Sequence, residues 1–303
     1  MGHKPLNKPN NFGIWCNALR VHQWSKNLLL FVPFLAAHQI GNTQFLGILI
    51  IAFFSFSLCA SSVYIVNDLL DLESDRNHPR KKYRPFASAN IPLLHGVIAA
   101  PLLIAASFLI GALVGTDFLI VLFVYLLLTS TYSFILKRLV LVDCLSLALL
   151  YTSRIIAGAA AISVPVSFWL LAFSIFIFLS LALVKRHAEL LVQSQAGQYS
   201  AHGRAYLVSD APILQAMGIS SGYISTLVIV FYLRSENVVS DYAHPLAIWF
   251  VIPIMLFWVS WVWLKSSRGE MHDDPIVFAA NDKSSIFIAI ITAAVLIYAA
   301  IGI

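Results

Sequence analysis

Asn67, Asp68, Asp71 and Asp75 are spaced to share one face of a helix: Asn67, Asp71 and Asp75 fall at i, i+4 and i+8, and Asp68 leads Asp71 by three. Carboxylates at that spacing repel one another in water, so the stripe costs stability unless a cation sits on it. A hard divalent ion such as Mg²⁺ suits it, because Mg²⁺ takes carboxylate oxygens and shares its shell with substrate phosphates. Arg76, Arg80, Lys81, Lys82 and Arg84 follow at once, which would set a metal stripe beside a loop able to hold phosphate. The plainer alternative is a solvated helix end running into a charged loop.

The rest of the chain must place this polar stretch within an apolar setting. The chain has 303 residues, 60% hydrophobic and only 11% charged, against about 25% charged in soluble domains. That marks an integral membrane protein, and the long uninterrupted apolar runs argue for helices rather than alternating barrel strands. The expected fold is all-α, a polytopic bundle of about nine transmembrane helices with cores near 27–41, 45–66, 93–114, 117–134, 139–162, 166–184, 211–233, 245–264 and 284–302. The first is the weakest, because Pro33 interrupts it. A single integral membrane domain over 1–303 is expected, with 1–19 a polar segment lacking a cleavable-signal pattern. Cys16, Cys59 and Cys144 are scattered and form neither a metal spacing nor a disulfide framework.

Assigning loops alternately to two sides sorts the charges. One side carries Lys4, Lys8, Arg20, Lys26, the 71–90 loop, Lys137, Arg138, Lys185, Arg186, Arg204, Lys265, Arg268 and Lys283; the other carries Arg234. The positive-inside rule makes the crowded side cytoplasmic, with the N-terminus inside. Most carboxylates lie on that same side, so the expected chemistry faces the cytoplasm of a multi-pass cell (inner) membrane protein.

Several further residues have both a structural and a functional reading. Tyr132 and Lys137 stand at the inner end of the fourth span, as an interfacial anchor or as donors to a diphosphate. Arg154 lies within a span, where a guanidinium is costly and faces the bundle interior or a cavity; Asp143, eleven residues earlier, is one candidate partner. Lys185 and Arg186 close the sixth span as a phosphate clamp or as positive-inside residues. His272, Asp273 and Asp274 could ligate metal or phosphate, or hold their own loop. Arg20, Gln23, Trp24, Lys26 and Asn27 mix donors with an aromatic at the membrane interface. No P-loop, Gly-x-Ser-x-Gly or His-Glu-x-x-His motif occurs.

Asn67-Asp68-x-x-Asp71-x-x-x-Asp75, followed by basic residues and Arg84-Pro85, resembles the first motif of the UbiA superfamily of intramembrane prenyltransferases. The resemblance implies helices around a membrane cavity, with Mg²⁺ on Asn67, Asp68, Asp71 and Asp75 holding the donor diphosphate. Prenyl-transferring members carry a second Asp-x-x-x-Asp after the sixth span, where this chain has Lys185-Arg186-His187-Ala188-Glu189. Two cations in place of acids suggest an additional phosphate rather than further metal. In this the chain resembles the decaprenyl-phosphate phosphoribosyltransferase branch, through Arg20 to Asn27, Tyr132 to Asp143, Arg154 to Ala161, Lys185 to Leu190 and Arg268 to Asp282. That extent runs from the first helix to the ninth.

The resemblance implies a pentosyltransferase that moves 5-phosphoribose from phosphoribosyl pyrophosphate to a polyprenyl (decaprenyl-like) phosphate and releases pyrophosphate. Its product would serve cell wall biosynthesis as an arabinan precursor. Asp68, Asp71 and Asp75 would be catalytic through the metal. Lys26, Arg76, Lys81, Lys82, Arg84, Tyr132, Lys137, Arg154, Lys185, Arg186, His272, Asp273 and Asp274 are the phosphate- and substrate-binding candidates. The expected partners are those two substrates and the lipid bilayer, with no nucleic acid; homo-oligomerisation stays open. The alternatives are a UbiA-type transfer of an isoprenyl group to an aromatic acceptor, and a non-enzymatic lipid transporter.

Overall fold

Pro33 decides how the chain begins its first apolar segment. Proline has no N–H to donate and its ring clashes with the carbonyl four residues back, here Leu29. The Val32 amide bonds Leu29 O instead, and the chain before it, Val21–Phe31, is a 3-10 helix that passes into α-helix only at Val32–Ala36. In the computed structural model, residues 11–37, 39, 41–77, 81–195, 197, 205–235, 242–271 and 274–300 are described. Eight helices among them are long and apolar enough to cross a membrane: Thr43–Leu70, Leu93–Ala112, Thr116–Phe134, Val142–Ala161, Phe168–Gln195, Val208–Tyr232, Pro245–Ser267 and Lys283–Ala300. They correspond to eight of the nine expected spans, and the chain is a multi-pass helical membrane protein. The remaining stretch, Val21–Ala36, has a contour of roughly 30 Å because a 3-10 helix rises about 2.0 Å per residue.

The α-helices are numbered in order: α1 Asn11–Ala18, α2 Val32–Ala36, α3 Thr43–Leu70, α4 Leu72–Asn77, α5 Leu93–Ala112, α6 Thr116–Phe134, α7 Val142–Ala161, α8 Phe168–Gln195, α9 Ala211–Tyr232, α10 Val251–Ser267, α11 Pro275–Asn281 and α12 Lys283–Ala300. They divide into two compact units, Met1–Ser133 with Arg154–Val164, and Phe134–Ser153 with Pro165–Ile303.

In the first unit α3 and α5 are tied by a reciprocal pair, Ser55 Oγ to Ser107 O at 2.8 Å and Ser107 Oγ to Ser55 O at 2.7 Å. Lipid offers apolar side chains no incentive to leave it, so small residues and hydroxyls carry such contacts. The 3-10 segment lies along α3, with Trp24 Nε1 donating to Ser61 Oγ at 3.0 Å and Asn27 Nδ2 to Ser57 Oγ at 2.9 Å. The loop after α4 is anchored by Phe86, fully buried with Ile65, Ile91, Ala18 and Ala100. That anchor presents Arg84 two residues earlier, while Ser88 Oγ bonds the Arg84 carbonyl at 2.8 Å.

In the second unit α8, α9 and α10 meet through one polar junction. Trp263 Nε1 donates to Ser180 Oγ at 3.1 Å, and Ser180 Oγ donates to Gly218 O at 2.7 Å. His187 Nδ1 lies 2.9 Å from Ser266 Oγ beside it. Ala247, Ile248, Val251 and Ala299 close the far end of α10 against α12.

Gly158 is where the first unit tolerates no side chain. A Cβ there would lie 1.9 Å from Leu30 O and 2.9 Å from Leu30 Cα. Gly158→Ala should therefore cost about 1–3 kcal/mol, as overpacking does, read as a lower melting temperature of the detergent-purified protein. Gly13, with nothing within 4 Å, serves as control, and Gly13→Ala should not lower it.

Candidate active site

The acidic stripe keeps its spacing across a break in the helix. α3 ends at Leu70 and Asp71 is its C-cap, with φ −88° and ψ 10°. The ladder nevertheless continues, Asp71 N to Asn67 O at 2.9 Å and Asp75 N to Asp71 O at 2.8 Å. Asn67, Asp71 and Asp75 thus remain one turn apart although α3 itself does not run through them. Asp68 and Asp75 are 2% and 1% exposed; Asn67 and Asp71 are half-buried.

Two arginines meet the buried carboxylates. Arg20 Nη2 lies 2.6 Å from Asp68 Oδ1, while Arg84 Nη1 bridges Asp68 Oδ1 at 3.1 Å and Asp75 Oδ2 at 2.6 Å. Arg20 sits at φ 51°, an uncommon conformation for a residue with a side chain, and its guanidinium stacks 4.7 Å from the Tyr64 ring. Arg20 and Lys26 flank His22, so the entry to the 3-10 segment is electropositive. Arg76, Lys81 and Lys82 are exposed. Arg76 Nε bonds Ala87 O at 3.4 Å and Lys82 lies 5.2 Å over Tyr83.

These residues suit a hard divalent ion. The donors are carboxylate and amide oxygens, and Asp75 Oδ1 is buried with no hydrogen-bond partner among the described residues. An orphaned carboxylate oxygen in an apolar setting is costly, and a metal bound there would relieve it. No three His, Cys, Asp or Glu side chains among the described residues converge into a ready-made metal cage. The donor's phosphates would have to complete the shell, as is usual for Mg²⁺.

Arg154 is 4% exposed and holds the first unit together. Its Nε donates to Asn27 Oδ1 at 2.9 Å and its Nη2 to the Tyr125 hydroxyl at 3.2 Å. Its guanidinium also lies 5.5 Å from the Phe56 ring and 5.1 Å from that of Tyr125. Eleven residues of helix rise roughly 16 Å, so the Asp143 partnership considered from sequence is out of reach. Lys26, 8% exposed, precedes Asn27 in the same segment. Trp24, read as an interfacial belt, spends its indole N–H on Ser61 instead. Tyr132 is half-buried at the end of α6 in the first unit, and Lys137 lies in the 3-10 turn Leu136–Arg138 of the second.

The second unit separates two neighbours that the sequence paired. Lys185 Nζ reaches Asp274 Oδ2 at 3.3 Å; the Tyr151 hydroxyl lies 3.3 Å from both Asp274 oxygens. Lys185, Tyr151, Asp274 and Pro275 line a cavity of about 10 Å³, room for about one water. Asp274 also caps α11, accepting from Ile276 N at 3.2 Å. His272 and Asp273 lie outside the described residues. Arg186, expected beside Lys185 as a phosphate ligand, is fully buried, its Nε 2.9 Å from an equally buried Asp143 Oδ2 and its Nη1 bonded to Glu189.

Tyr206 completes that network. Its hydroxyl donates to Asp143 Oδ1 at 2.5 Å and accepts from Leu141 N at 2.7 Å, while Cys144 N donates to the same Oδ1 at 2.7 Å. Burial, and then the bond to Asp143, push the Tyr206 hydroxyl far above the usual phenol range, so it stays a donor. Sequence reasoning passed over Tyr206 and Tyr151. The available signal was Asp143 itself, an acid at a span start that had to find cationic and hydroxyl partners.

A family model described as the UbiA prenyltransferase family matches residues 28–278. The chain belongs to the UbiA prenyltransferase family. It is 38% identical over 292 residues to the Sinorhizobium fredii protein y4nM, covering 94% of this chain but 55% of that protein, so it spans about half of that relative's length. It is 34% identical over 275 residues to nodulation protein NoeC of Azorhizobium caulinodans, covering 91% of this chain and 89% of NoeC. Decaprenyl-phosphate phosphoribosyltransferase of Mycolicibacterium smegmatis is 36% identical over 184 residues, 59% of this chain and 58% of that enzyme. That match is narrower than the first-to-ninth-helix extent read from the motifs. In fold, the UbiA chain resembles an Archaeoglobus fulgidus UbiA homolog bound to GPP and Mg²⁺, with TM-score 0.66, 15% identity and coverage of 94% and 98%.

The buried pair makes a sharp prediction. Arg186→Leu strands Asp143 without its guanidinium and should cost about 3–5 kcal/mol. Arg186→Leu with Asp143→Leu should regain most of that loss, both read by thermal melting in detergent.

Proposed function

We propose that this UbiA-family chain transfers 5-phosphoribose from phosphoribosyl pyrophosphate to a polyprenyl phosphate and releases pyrophosphate. The observation that carries the reading is the second-motif position. Where prenyl-transferring members bear a further acidic pair, this chain has the cation Lys185, its side chain 32% exposed beside Asp274, and its neighbour Arg186 is committed to Asp143. A cation there fits an added monophosphate, from the ribose or the lipid, better than a second metal. The partial likeness to decaprenyl-phosphate phosphoribosyltransferases supports it. The prenyl alternative is supported by fold neighbours bound to GPP and DMAPP.

Asn67, Asp68, Asp71 and Asp75 would hold Mg²⁺, which neutralises the leaving pyrophosphate when bound. Arg84, with Arg76, Lys81 and Lys82 on the exposed loop, binds the remaining phosphate oxygens, arginine being suited to bidentate contact. The lipid phosphate is already an anion, so its attack on the anomeric carbon needs no general base. The new bond joins that carbon to the lipid phosphate oxygen as its bond to pyrophosphate breaks. Alignment and stabilisation of the developing oxocarbenium charge are then the protein's task. Arg186 and Arg154 act as positioning residues for Lys185 and Lys26, and Tyr132 and Lys137 stand as further phosphate donors. The charge sorting along the chain supports a cytoplasmic active site in the cell membrane, where a soluble sugar diphosphate can reach it.

The test is a donor comparison in membranes holding the full chain. Labelled phosphoribosyl pyrophosphate should enter the lipid extract with Mg²⁺, lose this on chelation, and regain it on Mg²⁺ return. An isoprenyl diphosphate with an aromatic acid should give no product, and the reverse pattern overturns the proposal. Asp71→Asn should lower transfer by roughly 10²-fold or more, and Lys185→Ala by roughly 10- to 10²-fold, the worth of a charged hydrogen bond.

A further inference from the structure

Asp68 and Asp75 are almost fully buried, yet both already have cations: Arg20 on Asp68, and Arg84 across Asp68 and Asp75. The two arginines draw on the carboxylates a divalent ion would use, while Asp75 Oδ1 has no hydrogen-bond partner among the described residues. A bound ion and a bound guanidinium compete for Asp68 Oδ1, since both need the same lone pairs. We infer that Arg20 is a further residue of the candidate site, a counter-cation that competes with the metal for Asp68 and is released by it, so that metal and anion binding are coupled. This rests on the reading of the stripe as a metal–diphosphate site, and it applies whichever donor carries the diphosphate.

Three observations favour competition over a plain structural latch. Arg20 and Arg84 converge on the same oxygen, Asp68 Oδ1, which a latch would not require. Both arginine side chains are about a quarter exposed, at 23% and 27%, against 2% for Asp68, so the guanidinium groups have room to leave while the carboxylate does not. Arg20 is also held at φ 51° and stacked on Tyr64, and a backbone in a sparsely populated region often marks a functional position. Once the ion displaces it, the freed guanidinium is a second cation next to the bound metal, which raises affinity for an anion. By linkage the anion raises affinity for the metal equally.

The experiment uses the full chain in detergent and two probes. The first is Mn²⁺ alone, its free signal followed by electron paramagnetic resonance; the second is labelled pyrophosphate retained at saturating Mg²⁺. Arg20→Gln should bind Mn²⁺ roughly three- to tenfold more tightly than wild type and retain pyrophosphate about tenfold less well, the scale of one partly screened charge contact. Arg20→Lys keeps the charge and should bind Mn²⁺ nearly as wild type does. Arg84→Gln should move Mn²⁺ affinity in the same direction, which keeps the test intact should Arg20→Gln fail to fold. A brace would give the opposite: if Arg20→Gln and Arg84→Gln leave Mn²⁺ affinity unchanged or weaken it, while Asp75→Asn abolishes Mn²⁺ binding, the competition is overturned and the metal stripe stands. If neither Asp71→Asn nor Asp75→Asn alters Mn²⁺ binding, the stripe itself fails, and with it the proposed function.

Discussion

A carboxylate withdrawn into a bundle of apolar helices must be met by a cation, and much of this chain's polar architecture follows from that constraint. Asp68 and Asp75 are met by Arg20 and Arg84, and Asp143 by Arg186. Among the described residues arginine meets the three buried carboxylates, while lysine meets the more exposed Asp274 and Glu270. The guanidinium is weakly hydrated and offers donors in a fixed fork, so it can follow an acid into an apolar interior at lower cost than an ammonium. A buried acid left without its cation costs about 3–5 kcal/mol, so each pairing also fixes where helices and loops meet. Tyr206 brings the 205–210 segment onto α7 because Asp143 needs a hydroxyl as well as a guanidinium.

The stripe was legible because it is local: Asn67 and three aspartates within nine positions, followed by cations. Most spans were legible from apolar length alone. What could not be read were partners fixed by distant parts of the chain. Arg20 meets Asp68 from 48 residues away, Tyr206 meets Asp143 from 63, and Tyr151 meets Asp274 from 123. Lys185 and Arg186 show the same limit from the other side. Two adjacent cations at the end of a span look alike in sequence, but neighbours on a helix point about 100° apart, so Lys185 meets the partly exposed Asp274 and Arg186 the fully buried Asp143. The 3-10 run hid for a related reason, since Pro33 signals a break without saying what replaces the α-helix.

Family and reaction stand on different footings. Membership rests on a match across most of the chain and agrees with the fold. The choice of donor rests on fewer residues, chiefly the exchange of acids for Lys185 and Arg186. Arg186 is held by Asp143 and fully buried, so of the two cations Lys185 is the one with surface open to an anion. The Sinorhizobium fredii and Azorhizobium caulinodans relatives match over nine-tenths of the chain, whereas the phosphoribosyltransferase likeness covers 59% of it.

The 3-10 segment has a consequence for how two unlike helices mesh. Three of its residues advance about 6 Å, and so do four residues of an α-helix. Trp24 and Asn27, three apart, accordingly meet Ser61 and Ser57, four apart, as the two strands of chain run in opposite directions. Leu30, three further on, is the residue whose backbone lies against Gly158. The two pitches are commensurate, like matched gear teeth cut at different counts. Wound as an α-helix, the same eleven residues would be about 5 Å shorter, and each step of three would turn the column by roughly 60°. Such a segment is recognised by a strict three-residue repeat, and its length in residues is set by the helix it meshes with.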